Sequence, residues 1–239
     1  MSDEFRPPGV IREIADRLKA FYGPSITFPS DVEDPFRVLV RAILSQNTSY
    51  KNELKAFRTL DERIGVSPEA LAGASAEAIA EAIRAAGQHK QRSERIKKVA
   101  GLVLKRFKGD LWPLISSRPV EEAREELMAL PGVGRKTADI VLLFCARRPV
   151  FPVDRHIMRI FDRLGFLGPR PGYETIRAAV EEALGDDPEA LLFTHLALIR
   201  LGREICRAKK PSCASCPLSD LCALARRAAL VESPPQRSS

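Results

Sequence analysis

Apolar residues recur along this chain at the three-and-four spacing of helices, and nowhere with confidence at the alternating spacing of strands. Val10, Ile11, Ile14, Leu18 and Phe21 form the first stripe. Asp34-Pro35 reads as a capping residue followed by proline at the first helical position, and Phe36, Leu39, Val40, Ile43 and Leu44 make the next stripe. Ser67-Pro68-Glu69 and Ser75-Ala76-Glu77 repeat the start signal before two short helices. Ile96, Val99, Val103 and Leu104 share one face of a helix running from Arg92 to Phe107. Helices from Val120 to Leu130 and from Arg135 to Ala146 are joined by Pro131-Gly132-Val133-Gly134, and others are predicted near 155–164, 172–184 and 188–201. With no internal repeat and no long linker, the pattern predicts an all-α fold. The last residues, from Ser233 to Ser239, read as disordered.

Composition narrows the class. A chain of 239 residues supplies one large or two small domains. Apolar residues make up 45% but aromatics only 6%, so the core is drawn mostly from Leu, Ile, Val and Ala. Lys and Arg number 38 against 31 Asp and Glu, a balance of +7 that favours a polyanionic partner. The start, MSDEFRPPGV, lacks the apolar core of a signal peptide, and no later run approaches a membrane span. We therefore expect no membrane partner and a cytoplasmic protein, nucleoid-associated in a prokaryote. In that reducing setting clustered cysteines bind metal more often than they pair. Cys206, Cys213, Cys216 and Cys222 form such a cluster, spaced C-x6-C-x2-C-x5-C. Four thiolates suit an iron–sulfur cube or a structural zinc, and spacing alone leaves both open. Cys145, inside the apolar run from Ile140 to Phe144, reads as a small buried hydrophobe.

The segment from Leu130 to Ala138, LPGVGRKTA, sets a glycine hairpin before the start of a helix. Glycine permits positive φ and close backbone approach. The free N–H groups of the helix start, with Arg135 and Lys136, make an anion site suited to a DNA phosphate. Such contacts position a duplex without reading its sequence. An ordinary corner between two helices, closed by a glycine cap, would show the same residues.

Read in order, LPGVGRKTA, then Val153-Asp154-Arg155-His156, then the four-cysteine box resemble the endonuclease III family, the helix-hairpin-helix DNA glycosylases that carry an iron–sulfur cluster. The similarity extends through Ile43-Leu44-Ser45-Gln46-Asn47-Thr48 and Leu201-Gly202-Arg203, and spans roughly residues 30–222.

The resemblance implies roles residue by residue. Lys136 matches the lysine that attacks the sugar C1′ and forms a Schiff base. A lysine attacks only as the neutral amine, a form that cationic surroundings favour. Asp154 matches the catalytic aspartate, which stabilises positive charge on the sugar as the glycosidic bond breaks. It is also a ready N-cap for the following helix. Because the target base must be flipped out, something fills the gap. Gln46 matches the glutamine that does so, and Gly87-Gln88-His89-Lys90 matches the loop whose residue after glycine wedges between bases. Related enzymes often carry leucine where Gln88 stands, which puts opposite-base preference in doubt. Gly132, Gly134 and Arg135 would hold phosphate, as would Arg207, Lys209 and Lys210 on the cysteine loop.

The same resemblance implies a [4Fe–4S] cluster on Cys206, Cys213, Cys216 and Cys222 and two helical lobes. Residues 26–146 would form a six-helix domain ending in the helix-hairpin-helix. Residues 1–25 plus 147–224 would form an iron–sulfur domain, with 225–239 a flexible tail. The implied activity is that of a monomeric base-excision-repair glycosylase with abasic-site lyase activity. It would remove oxidised pyrimidines from double-stranded DNA that carries a damaged base or an abasic site. Two alternatives stand: a uracil or thymine mismatch glycosylase of the same superfamily, and a non-enzymatic, redox-sensing iron–sulfur protein that binds DNA.

Overall fold

The computed structural model describes residues 7–27 and 34–232 of the chain. Among them every regular element is helical, and the chain separates into two compact units. One comprises Ser30–Arg148 and the other Met1–Pro29 with Pro149–Ser239. Among the described residues no helix is long and apolar enough to cross a membrane.

The Ser30–Arg148 unit contains α2 (Pro35–Ser45), α3 (Tyr50–Arg63), α4 (Pro68–Gly73), α5 (Ala76–Ala82), α6 (His89–Phe107), α7 (Trp112–Ser117), α8 (Val120–Met128) and α9 (Arg135–Ala146). Six of these exceed six residues, and α4 and α7 are short helices of six. Local chemistry sets the starts. The Asp34 carboxylate accepts from Arg37 N, Ser67 Oγ from Ala70 N and Ser75 Oγ from Ala78 N, as the capping signals predict. Phe36, Leu39, Val40, Ile43 and Leu44 are all buried, and α2 packs them against α3, α6 and α9. α4 and α5 lie against α6, while α7 and α8 brace α9. Cys145 is buried, as its apolar neighbours imply.

A buried ion pair locks α8 to α9. Arg124 Nε donates to Asp139 Oδ1 at 2.7 Å, and the aspartate is fully buried. Removing one member of such a pair strands the other charge. Asp139→Ala is expected to cost about 3 kcal/mol, measured by denaturant unfolding. A loss below about 0.5 kcal/mol, the level of an ordinary surface change, would contradict this.

The second unit holds α1 (Pro7–Tyr22), α10 (Arg155–Leu164), α11 (Tyr173–Leu184), α12 (Pro188–Glu204) and α13 (Ala223–Glu232). α1 packs on α11 and α12, and α10 packs on α12 and α13. Two sequence expectations change here. Phe21 is 50% exposed, and Tyr22 completes the buried stripe Ile11, Ile14, Leu18. Phe21 and Tyr22 lie on opposite flanks of the stripe, three and four residues after Leu18, and packing buries the Tyr22 side. Within the expected tail at 225–239 the chain is helical as far as Glu232, as part of α13, whose Leu224 and Ala225 line the cysteine cavity. The predicted disorder from Ser233 onward lies outside the described residues.

Candidate active site and cysteine centre

In the Ser30–Arg148 unit the chain turns from α8 into α9 through Leu130–Gly134. Buried Leu130 and Val133 anchor the turn, and Val133 N donates to Leu130 O at 3.1 Å. Gly132 sits at φ +79, and a Cβ there would fall 2.3 Å from Arg95 Cδ. Only glycine meets both conditions. Gly134 caps α9 with no side chain in front of the first amides, and its carbonyl accepts from Thr137 N and Ala138 N. Thr137 and Ala138 face the core, so Arg135 and Lys136 point outward and are exposed. The hairpin therefore presents two cations and a positive helix end on one surface.

Gln46 meets the hairpin directly, and Gln88 lies on a loop next to that of Gln46. Gln46 follows α2, and its Nε2 donates to Gly132 O at 3.1 Å while its Oε1 accepts from Arg95 Nη1 at 3.0 Å. Gln88 is exposed at φ +48, a left-handed position that thrusts it outward just before α6, with half-buried His89 beginning that helix. Arg92, only 2% exposed, joins the two loops. It donates to Leu44 O at 3.0 Å, to Ala86 O at 2.6 Å, and to Gln46 O. Burial works against its charge, with Arg95 adding to the effect. Sequence reasoning missed Arg92 and Arg95. The visible signal was an arginine on the face that also carries Ile96, Val99 and Val103.

In the second unit an extended strap leads to Asp154. Phe151 N donates to Glu181 Oε1 at 2.7 Å, and Val153 N donates to Tyr173 Oη at 3.2 Å. Buried His195 places Nδ1 2.9 Å from Pro152 O. α11 and α12 thus hold successive peptides of the strap. Asp154 then caps α10, its Oδ1 accepting from His156 N at 2.7 Å and Ile157 N at 2.8 Å. One oxygen carries both cap bonds. His156 is a strut: Arg159 Nη2 lies 3.0 Å from its Nδ1, and burial holds its imidazole below the usual range despite the pull of Asp154. Arginine only donates, so Nδ1 accepts. A Cβ on Gly202 would fall 2.7 Å from His156 Cβ, so glycine there permits α10 and α12 to close on each other. Arg155 is exposed.

The four cysteines are unpaired and half-buried. Cys206, Cys213, Cys216 and Cys222 line one small cavity with Arg163, Pro211 and Leu224. Arg163 Nη1 donates to Cys206 Sγ at 3.2 Å and to Arg207 O at 2.8 Å, and Nη2 donates to Ala208 O at 3.0 Å. Arg159 Nε donates to Cys206 O at 3.0 Å. Burial pushes the Cys213 and Cys216 thiols up, and the neighbouring cysteines add to it. A centre that shares their negative charge would relieve this. Among the described residues no three ligating groups stand close enough to hold a single metal ion. A cube makes a different demand, since each thiolate binds its own iron and the sulfurs surround a cavity. The residues therefore fit a [4Fe–4S] cluster. When bound it supplies a rigid four-point tie across residues 206–222. Cys216→Ser is expected to lower iron from about four per chain and reduce the melting temperature. One zinc per chain and no iron in the unaltered protein would contradict the assignment. On the loop itself Lys209 and Lys210 are exposed, and Arg207 Nη2 donates to Ser212 Oγ at 3.1 Å.

Residues 40–185 match the family described as HhH-GPD superfamily base excision DNA repair protein. Residues 206–222 match the iron-sulfur binding domain of endonuclease III. An endonuclease III of Sulfolobus acidocaldarius is 38% identical over 188 residues, covering 78% of this chain and 81% of its own. One of Thermotoga maritima is 36% identical over 194 residues, covering 81% and 85%. A solved endonuclease III trapped as a covalent intermediate with DNA, in an estranged-adenine complex, superposes with a TM-score of 0.77. It is 26% identical and covers 93% of this chain and 98% of that one. On these matches the chain belongs to the HhH-GPD superfamily of base excision DNA repair proteins and, within it, to the endonuclease III family of iron–sulfur DNA glycosylases.

Proposed function

We propose that this protein is a bifunctional glycosylase and abasic-site lyase that removes oxidised pyrimidines from duplex DNA, with Lys136 as nucleophile and Asp154 as the charged stabiliser. The observation that carries this reading is Lys136 itself, an exposed amine in the first turn of α9 beside a glycine hairpin. The hairpin backbone, Gly132, Gly134 and Arg135 would hold phosphate. Lys209 and Lys210, with Arg207 beside them, would add contacts along the backbone. Gln46 fills the gap left by the flipped nucleotide, and Gln88 and His89 enter the stack beside it.

The chemistry then balances without a metal in any step. The neutral amine of Lys136 attacks C1′, and the C1′–N bond breaks as the base leaves with its electron pair and takes up a proton. Asp154 stabilises the positive charge that develops on the sugar. The bound amine loses a proton, and the C1′–O4′ bond opens as O4′ keeps the electron pair and takes up a proton, giving the protonated imine. Removal of a C2′ proton expels the 3′ phosphate, nicking the strand, and water releases the sugar from Lys136. A neighbour trapped as a covalent intermediate with DNA supports the assignment by analogy.

The substrate class is tested with duplexes carrying thymine glycol, uracil, a thymine mismatch or 8-oxoguanine under single-turnover conditions. Fastest release from thymine glycol is expected. Fastest release from uracil or mismatched thymine would replace this reading with that of a mismatch glycosylase.

A further inference from the structure

The Gln46 amide has its direction imposed by its neighbours. Arg95 Nη1, 3.0 Å from Oε1, is only a donor, and Gly132 O, 3.1 Å from Nε2, is only an acceptor. Turning the amide over would set N–H against guanidinium and oxygen against carbonyl, so its two ends are distinguishable by chemistry. Arg95 is itself seated, because its side chain crosses the hairpin where Gly132 lacks a Cβ. The Gln46 backbone is fixed as well, since its carbonyl accepts from buried Arg92.

Two bonding functions of that amide remain, one N–H and one oxygen lone pair. They leave a donor at the nitrogen end of the amide and an acceptor at the oxygen end, in fixed order. The pairing edges of the two purines offer the same pair in opposite order. Adenine presents the N6 donor beside the N1 acceptor, and guanine presents the O6 acceptor beside the N1–H donor. A freely rotating amide matches either purine by turning over. A locked amide matches one.

We propose that Arg95 sets the opposite-base preference by locking the Gln46 amide against Gly132. The base left without a partner is thereby read as one purine over the other. This rests on the reading above in which Gln46 enters the gap. Arg95 is a positioning residue, acting through Gln46 and not on the reacting sugar. The preference is built from an arginine, a glutamine and a hairpin carbonyl.

The test uses the intact protein and duplexes carrying a stable abasic-site analogue opposite guanine or adenine, so it depends on neither lesion identity nor chemistry. Dissociation constants are compared for the unaltered protein, Arg95→Met, Arg95→Lys and Gln46→Ala. The unaltered protein is expected to separate the two duplexes about fivefold, the scale of one net hydrogen bond. Arg95→Met brings the ratio within about twofold at unchanged melting temperature, and Arg95→Lys, which keeps a donor, retains part of it. General loss of a cation would weaken both duplexes alike and leave the ratio untouched. A ratio near one in the unaltered protein, or a ratio unchanged in Arg95→Met but lost in Gln46→Ala, overturns the role of Arg95 alone. If Gln46→Ala changes neither affinity nor ratio, the gap-filling reading of Gln46 itself fails.

Discussion

Asp154→Asn is expected to slow base release by about 10³-fold in single-turnover assays while the protein stays as stable as before. The two halves of that expectation separate the two jobs of the side chain. One carboxylate oxygen accepts both cap bonds, from His156 N and Ile157 N. An asparagine carbonyl caps a helix as well as aspartate does, so α10 keeps its start. What asparagine removes is the negative charge. Asp154→Ala removes both, and adds about 1 kcal/mol of lost capping to the same catalytic defect. Thermal denaturation of the two variants beside their release rates distinguishes the contributions. Release by Asp154→Asn within tenfold of the unaltered rate would reduce Asp154 to a cap.

The second large effect belongs to Lys136. Lys136→Ala is expected to lower nicking of an abasic duplex on the order of 10³-fold or more, the scale seen when a nucleophile is removed. The side chain is exposed and its neighbours Thr137 and Ala138 carry the packing of that turn. Folding stability should therefore move by less than about 0.5 kcal/mol. Lys136→Arg supplies the control. Guanidinium keeps the positive charge for phosphate but has no usable nucleophilic lone pair. DNA affinity is expected to survive in this variant and nicking is not. Nicking restored by arginine would make residue 136 a phosphate contact only.

Much of the architecture was legible in the sequence, and the particular successes have particular causes. The Gly134 cap and the Asp154 cap mark abrupt helix starts, and α9 and α10 begin where those residues imply. Weaker patterns passed unread. α3 has only Ala56, Phe57 and Leu60 with Glu53 on its buried side, too sparse a stripe to stand out. α13 packs on α10 and sets Leu224 and Ala225 beside the cysteine cavity, contacts that its own residues do not announce. For the candidate site, short motifs singled out Lys136, Asp154, Gln46 and the cysteines as candidates. The supporting residues were hidden because each acts across a long stretch of chain. Arg92 reaches Leu44 O, Glu181 reaches Phe151 N, and Arg163 reaches the loop around Cys206. Spacing along a sequence cannot show that an arginine ends among carbonyls rather than in water. Only tertiary packing turns these residues inward, and it does so where backbone groups beside the site would otherwise lack partners.

The central claim is that Lys136 becomes covalently joined to the sugar. The direct measurement is to incubate the intact protein with an abasic duplex in borohydride, digest the product and map the modified residue by mass spectrometry. The account predicts a reduced sugar adduct on Lys136 and none in Lys136→Ala. No adduct, or an adduct on another amine that persists in Lys136→Ala, would contradict it.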